Sequence, residues 1–276
     1  RNYRPHTIIK NNMFVQGFRL NRNILKSLNS SYKFKLLSGA ALATSFNFYY
    51  QNSYNAKIQN SIEPYIEHSV TVDKGVKDIE TQLKFQDGSL WDLLAYGVRA
   101  VTFLKFRIYA LSIYSTAESI GKIDAFFTTN SIQKVDLEEN VIVDLLEKKK
   151  DIEFLARITP LRNTTFEHLR EGMIRSAMSS KEAKLEPEAM VNAVKSFREE
   201  GMCRNGSVLV NDDLFLLKNK DNTVAIYHYD NKLQKYNFIG KCNHQLFGIA
   251  LFSKYLNYDS PLTSEAQTRF SNFFKL

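Results

Sequence analysis

From Ser69 the chain takes on a strand-like pattern, first in SVTVD and then through LKFQDGSLWDLLAYGVRAVTFLKFRIYALSIYS. Residues 101–114 of that stretch are rich in β-branched and aromatic side chains, as a long strand or a pair of strands requires. A short helix is expected over 117–127, and 132–152 reads as a charged segment that includes the run Lys148-Lys149-Lys150. Ile152, Phe154, Ala156 and Ile158 recur at every second position of DIEFLARITPL and predict a further strand. Thr164 and Glu167 stand at capping-box spacing, which satisfies two orphan backbone N–H groups at a helix start. Phe166, Leu169, Met173, Ile174 and Ala177 then trace one apolar stripe at helical period. Pro187 opens a second helix, with Ala189, Met190, Ala193, Val194 and Phe197 inward and a stop near Gly201.

Asn205-Gly206 is a turn signal. Segments 207–218, 223–230 and 233–240 read as an antiparallel meander with turns near Asp221-Asn222 and Asp230-Asn231. Helix returns over Gln245–Leu256, and a last helical segment begins at Ser260 with Pro261 in its first turn. Strands and helices that come in separate runs indicate an α+β fold with an antiparallel sheet.

The N-terminal part has a different character. No Asp or Glu precedes Glu63, while residues 1–62 hold nine Arg and Lys. The remainder carries 28 basic and 29 acidic residues, so the net charge of +8 belongs to the leader. A nucleic-acid binder needs its positive charge on the folded surface, where it displaces phosphate counterions, and that class is set aside. An acid-free leader rich in Arg, Lys, Ser and Asn has the composition of a mitochondrial import signal, the alternative being a disordered basic tail. Between Lys35 and Lys57 lie 21 uncharged residues, with small side chains at Ser38, Gly39, Ala40, Ala41 and Ala43 and aromatics at Phe46, Phe48, Tyr49 and Tyr50. This pattern suits a single membrane span, although it is short for one and also fits a presequence extension or a buried helix. A span would hold the folded part at the inner mitochondrial membrane, facing the intermembrane space. The expected organisation is a targeting segment over 1–33, a transmembrane or anchor segment with its linker over 34–56, and a folded domain over 57–276. Cys203 and Cys242 have neither zinc nor CxxC spacing and are expected to be free, buried thiols. Common catalytic motifs are absent.

Three blocks carry a family resemblance. Gly97-Val-Arg99-Ala-Val-Thr-Phe-Leu-Lys-Phe-Arg-Ile-Tyr109-Ala-Leu-Ser-Ile-Tyr114 resembles the glycine, arginine and long-strand signature of chalcone-isomerase-like proteins. Thr159-Pro-Leu-Arg162-Asn163-Thr164-Thr-Phe-Glu-His168-Leu-Arg170-Glu-Gly172 is similar to a block of the fungal mitochondrial members, the altered-inheritance-of-mitochondria proteins. The third is the ending, Leu251-Phe-Ser-Lys-Tyr-Leu, followed by Ser-Pro and a final helix. The likeness runs from about Ser69 to Leu276. It implies an open-faced sandwich, a long antiparallel sheet with helices packed on one side and a cleft between them.

The resemblance also implies candidates for function. Plant enzymes of this fold close a flavanone ring while an arginine steadies the developing negative charge, and Arg99 matches that arginine. Aligned on Tyr114, their strand threonine falls at Tyr109 and their strand glycine at Ser112, so Arg99 and Tyr109 would be the catalytic pair of an isomerase here. Other members of the fold hold fatty acids, with the arginine on the carboxylate. The fungal mitochondrial members are associated with haem, which needs an axial ligand, an apolar slot and cations for its propionates. The leading expectation is a non-catalytic haem-binding domain with His168 on the iron and Arg99, Gly172 and His68 in the site. His168 would project away from the apolar stripe, on a second face of small residues beside Thr165, Gly172 and Ser176. A solvated first-turn histidine is the ordinary alternative, as a structural ion pair is for Arg99 and a core tyrosine for Tyr109. Arg162, Arg170 and Arg175 would meet propionates, or Glu167 and Glu171 across helical turns. His228 is expected to face away from Tyr227 and Tyr229, and His244 to precede and cap the C-terminal helix.

Overall fold

The computed structural model describes residues 69–72, 77–101, 106–149, 151–257 and 264–276. The targeting segment, the anchor segment and His68 lie outside the described residues.

Seven antiparallel strands build the main sheet. In chain order they are β3 (Gln82–Lys84), β4 (Leu90–Val101), β5 (Phe106–Ser115), β6 (Phe154–Pro160), β9 (Asp213–Lys218), β10 (Val224–Asp230) and β11 (Lys235–Cys242), and they lie across the sheet as β11-β10-β9-β6-β5-β4-β3. Two ribbons stand apart, one of β1 (Ser69–Val70) with β2 (Ile79–Glu80), the other of β7 (Thr164–Thr165) with β8 (Ser207–Val208). The helices are α1 (Ala117–Thr129), α2 (Glu139–Lys148), α3 (Phe166–Met178), α4 (Lys181–Leu185), α5 (Pro187–Ser196), α6 (Gln245–Leu256) and α7 (Ser264–Phe273). The expected α+β arrangement is the one observed.

Period-two alternation sends odd and even residues of each strand to opposite faces. In β6 all seven residues are buried, so both faces of the central sheet are covered. The helices cover one face, where Phe252 of α6 stacks on Phe154 with ring centroids 6.1 Å apart. The other face is closed by the sheet itself. Ile79, Leu83, Phe85, Trp91, Tyr114, Leu155 and Phe215 form a core there. Phe85, just after edge strand β3, meets Phe215, Tyr227 and Tyr236 edge-on at 5.6, 5.3 and 5.2 Å. Contact between the end of β3 and strands β9 to β11 requires the sheet to curl on itself, in the sense that strand twist favours.

A charged cluster sits within that second core. Arg157 of β6 is 1% exposed and donates to Asp213 Oδ2 at 2.9 Å and to the Glu80 carboxylate, and Thr159 donates to the other Asp213 oxygen. Burial opposes the guanidinium charge, but Asp213, assisted by Tyr114 and Glu80, outweighs it and raises the Arg157 pKa. Burial likewise tends to raise Glu80, but Arg157 overcomes it and holds the carboxyl below its ordinary value. The pairing ties β6, β9 and the β1–β2 ribbon together.

Helix α6 is apolar on all sides and lies against α2, α3, α4, α5 and α7. A Cβ on Gly248 would stand 2.1 Å from the Asn222 carbonyl oxygen, so the helix rests on the backbone of the β9–β10 turn. Asn222 adopts a left-handed φ of 63° in that turn and donates through Nδ2 to Leu146 O of α2.

The structure adjusts several sequence expectations. The cap of α3 is Thr165, whose Oγ1 accepts from the His168 N–H, not Thr164; Thr164 is engaged by β8 in the small ribbon. The strand expected over 207–218 breaks at Leu209–Asp212, because Asp212 accepts from Leu209 N and Asn211 takes a φ of 67°. The last strand of the meander starts at Lys235, after a turn in which Gln234 has a φ of 51°. Within the charged segment, Ile142, Val143, Leu145 and Leu146 bury one face of α2. Cys203 is exposed rather than buried, since the chain leaves the helical layer there; Cys242 is buried and both thiols are free.

Two outcomes test this account. Asp213→Ala strands Arg157 in the core and is expected to lower unfolding free energy in urea by about 3–5 kcal/mol. Glu80→Gln is expected to be destabilising at neutral pH. Because the Glu80 pKa is depressed, its contribution is present above the unfolded carboxyl range, about pH 4.3, and fades as pH falls through its lower folded value. Stability curves of the two proteins should therefore converge in acid.

Candidate functional site

Strands β4 and β5 pair antiparallel, with Arg99 opposite Tyr109 and a bulge immediately after Arg99. Directly opposed residues share a face, and here the face is the helical one: Gly97, two residues before Arg99, is pressed by α7. Any Cβ at Gly97 would lie 3.1 Å from the Ala266 amide nitrogen, so glycine lets the helix settle onto this part of β4.

Arg99 Nη1 donates to the Tyr109 hydroxyl at 2.9 Å, and the guanidinium carbon lies 5.6 Å from the Tyr109 ring centre. Tyr109 is buried and Arg99 half-buried. Among the described residues no carboxylate pairs with Arg99. The contrast with Arg157 is informative: on one face of the sheet an arginine is neutralised by two carboxylates, and on the other the partner of an arginine among the described residues is a phenol. A guanidinium has donors only, so the Tyr109 oxygen accepts and its proton is left to donate elsewhere. The pair presents a positive charge and an O–H donor on the same side, a receptor for an anionic oxygen.

Sequence analysis missed the third polar group here, Tyr255 of α6. Its phenol is 1% exposed and lies beside Tyr109, within electrostatic reach of Arg99. A tyrosine in an apolar helical run carries the pattern of a core residue, so only its spatial neighbours reveal it.

The histidines fall elsewhere. His168 is exposed at the third position of α3, with its backbone N–H bound to Thr165 and no hydrogen bond on its ring among the described residues. Thr164, Thr165, Glu171 and Gly172, one turn away along α3, provide no apolar wall. Gly172 leaves that face open: a Cβ there would meet only Arg175 Nη2, at 4.0 Å. Arg170 donates to Met202 O and approaches Glu171, and Glu171 is bound more closely by Arg198. His228 does face away from Tyr227 and Tyr229; it is buried against the Phe166 ring with Nε2 3.1 Å from Asp212 Oδ2. His244 precedes α6 but makes no side-chain cap.

A curled antiparallel sheet with helices on one face is the arrangement that comparison with known proteins identifies. The chain matches the family described as chalcone isomerase like over residues 89–271. It belongs to that family. Its relatives include proteins named altered inheritance of mitochondria protein 18, mitochondrial: one from Vanderwaltozyma polyspora is 30% identical over 88% of this chain and 86% of its own length. The Lachancea thermotolerans protein of that name is 29% identical over 99% and 97%. Among solved structures, an Arabidopsis thaliana fatty-acid binding protein superposes with a TM-score of 0.54 at 14% identity, covering 74% of this chain and 97% of that one. The relatives' name supports a mitochondrial protein. No helix among the described residues is long and apolar enough to cross a membrane.

The position of the cap gives a local test near His168. Thr165→Ala is expected to destabilise the protein by about 1 kcal/mol in thermal unfolding, and Thr164→Ala by clearly less.

Proposed function

We propose that this domain binds an apolar carboxylic acid of the fatty-acid type, with its headgroup on Arg99 and Tyr109, and does not act on it chemically. The observation that carries this reading is the half-buried Arg99 guanidinium, which no carboxylate neutralises among the described residues and which Tyr109 holds in place on the helical face. Removing a cation from water is unfavourable without an anionic partner, and a ligand carboxylate is the partner that suits both donors. The likeness to a fatty-acid binding protein of the same fold supports the ligand class. The setting proposed for it is the inner mitochondrial membrane, with the domain facing the intermembrane space.

An isomerase would use the same pair, with Arg99 stabilising an enolate and Tyr109 donating to it. Where the plant enzymes carry a threonine on the strand, this chain has Tyr109, so the polar support of that reaction is altered.

Haem is the second reading. It too is apolar and bears carboxylates, and the ring of His168 is exposed beside the open Gly172 position with Arg175 at hand. The same exposure weighs against it, because a haem slot needs apolar walls that the neighbouring positions of α3 lack.

Titration of the full chain with palmitate, followed by calorimetry, separates these readings. Saturable binding weakened roughly tenfold to a hundredfold by Arg99→Ala is expected, the range for a lost charge-assisted hydrogen bond. No palmitate binding, with a Soret shift on adding haemin that His168→Ala abolishes, would favour haem. Turnover of a chalcone that depends on Arg99 would favour the enzyme.

A further inference from the structure

Tyr255 occupies a position where packing alone asks for phenylalanine. It lies one turn beyond Phe252, their ring centroids are 6.0 Å apart, and Phe252 fills the equivalent place over β6 with no polar atom. The Tyr255 hydroxyl is fully buried beside the Tyr109 hydroxyl but forms no well-aligned hydrogen bond among the described residues, a state that disfavours the folded protein unless something else supplies a better partner. Burial, with Tyr109 beside it, pushes this phenol well above its ordinary pKa, so it remains an O–H donor at neutral pH.

Other unpartnered atoms flank the same junction. Asn257 Oδ1, just after α6, and both amide atoms of Gln267 on α7 are buried and have no hydrogen-bond partner among the described residues. Gln267 directly follows Ala266, the residue that presses on Gly97. Buried polar groups without partners are rare in folded proteins, and here they occur where α6, α7 and β4 pack together. The hydrogen-bond polarity is also fixed: Arg99 donates to Tyr109, so both phenols have protons to give and the group they lack is an acceptor.

We propose that Tyr255 is a specificity-determining residue of this site, its hydroxyl donating to the second oxygen of the carboxylate that Arg99 and Tyr109 hold. The inference rests on the carboxylic-acid reading given above. A headgroup with two anionic oxygens satisfies all three donors; a methyl ester lacks the charge, and an alcohol brings a competing proton. The site therefore selects free acids over their esters and alcohols, and Tyr255 contributes to that selection.

Tyr255→Phe in the full chain tests this, with palmitate and methyl palmitate as probes and thermal unfolding of the ligand-free protein as a control. Removing an unpartnered hydroxyl should leave the melting temperature unchanged or raised. Palmitate affinity should drop roughly tenfold to a hundredfold, the effect of one hydrogen bond to a charged group, and the preference for acid over ester should narrow by a similar factor. If wild-type protein binds no palmitate, the ligand reading fails and this proposal with it. If palmitate binds through Arg99 but Tyr255→Phe binds it equally well, only the role of Tyr255 is overturned. A lower melting temperature in Tyr255→Phe would mean that the hydroxyl serves the fold, and would also overturn it.

Discussion

The register between β4 and β5 is the constraint on which the rest of this structure depends. Side chains alternate along a strand, so a slip of one residue would move Arg99 to the face occupied by Trp91 and Tyr114 and leave Tyr109 without its partner. Both faces of the sheet are buried, and each demands its own set of side chains, which makes such a slip costly on two sides at once. The bulge after Arg99 restarts the pairing at Ala100 opposite Arg107. Arg99 is thus the last residue held in register by the unbroken run of pairs from Ala95 onward.

The two arginines illustrate how differently the two faces of one sheet treat a buried or half-buried charge. Arg157 is enclosed by carboxylates drawn from β2 and β9, and its charge is consumed in joining elements distant in sequence. Arg99 stands on the other face, where helices rather than strands provide the cover, and its hydrogen bond goes to a neutral phenol. A buried ion pair between Asp213 and Arg157 is best understood as fixing which strands meet, since equivalent apolar packing is often as stable. Arg99 has no carboxylate partner among the described residues to give it such a use, and this is the ground for proposing a ligand there.

The helical layer follows from the same economy of space. Because α6 is apolar around its circumference, it has to be surrounded, and α2, α3, α4, α5 and α7 do so. Gly248 and Gly97 mark where helix meets backbone, over the β9–β10 turn and along β4 respectively. These contacts set the position of the C-terminal end of α6, and with it the Tyr255 phenol.

Much of this was legible in the sequence, because it depends on local pattern. The strand alternation around Phe154, the stripe from Phe166 to Ala177, the Pro187 helix start and the turn at Asp221-Asn222 are each fixed by neighbours a few residues away. The family blocks further placed Arg99 on its strand and aligned Tyr109 with it. Sequence misjudged features that depend on competition between distant segments: Thr164 looked like a cap until β8 claimed it, and residues 207–218 looked like one strand until the Asp212 side chain broke it. Tyr255 was invisible for a deeper reason. The burial of its ring is written in the apolar pattern of α6, but the fate of its hydroxyl depends on β4 and β5, some 150 residues earlier in the chain. Sequence by itself determined the elements, their faces and the family; tertiary packing alone decided which arginine is neutralised and which polar atoms are left facing one another, because charge pairing acts through space and not along the chain.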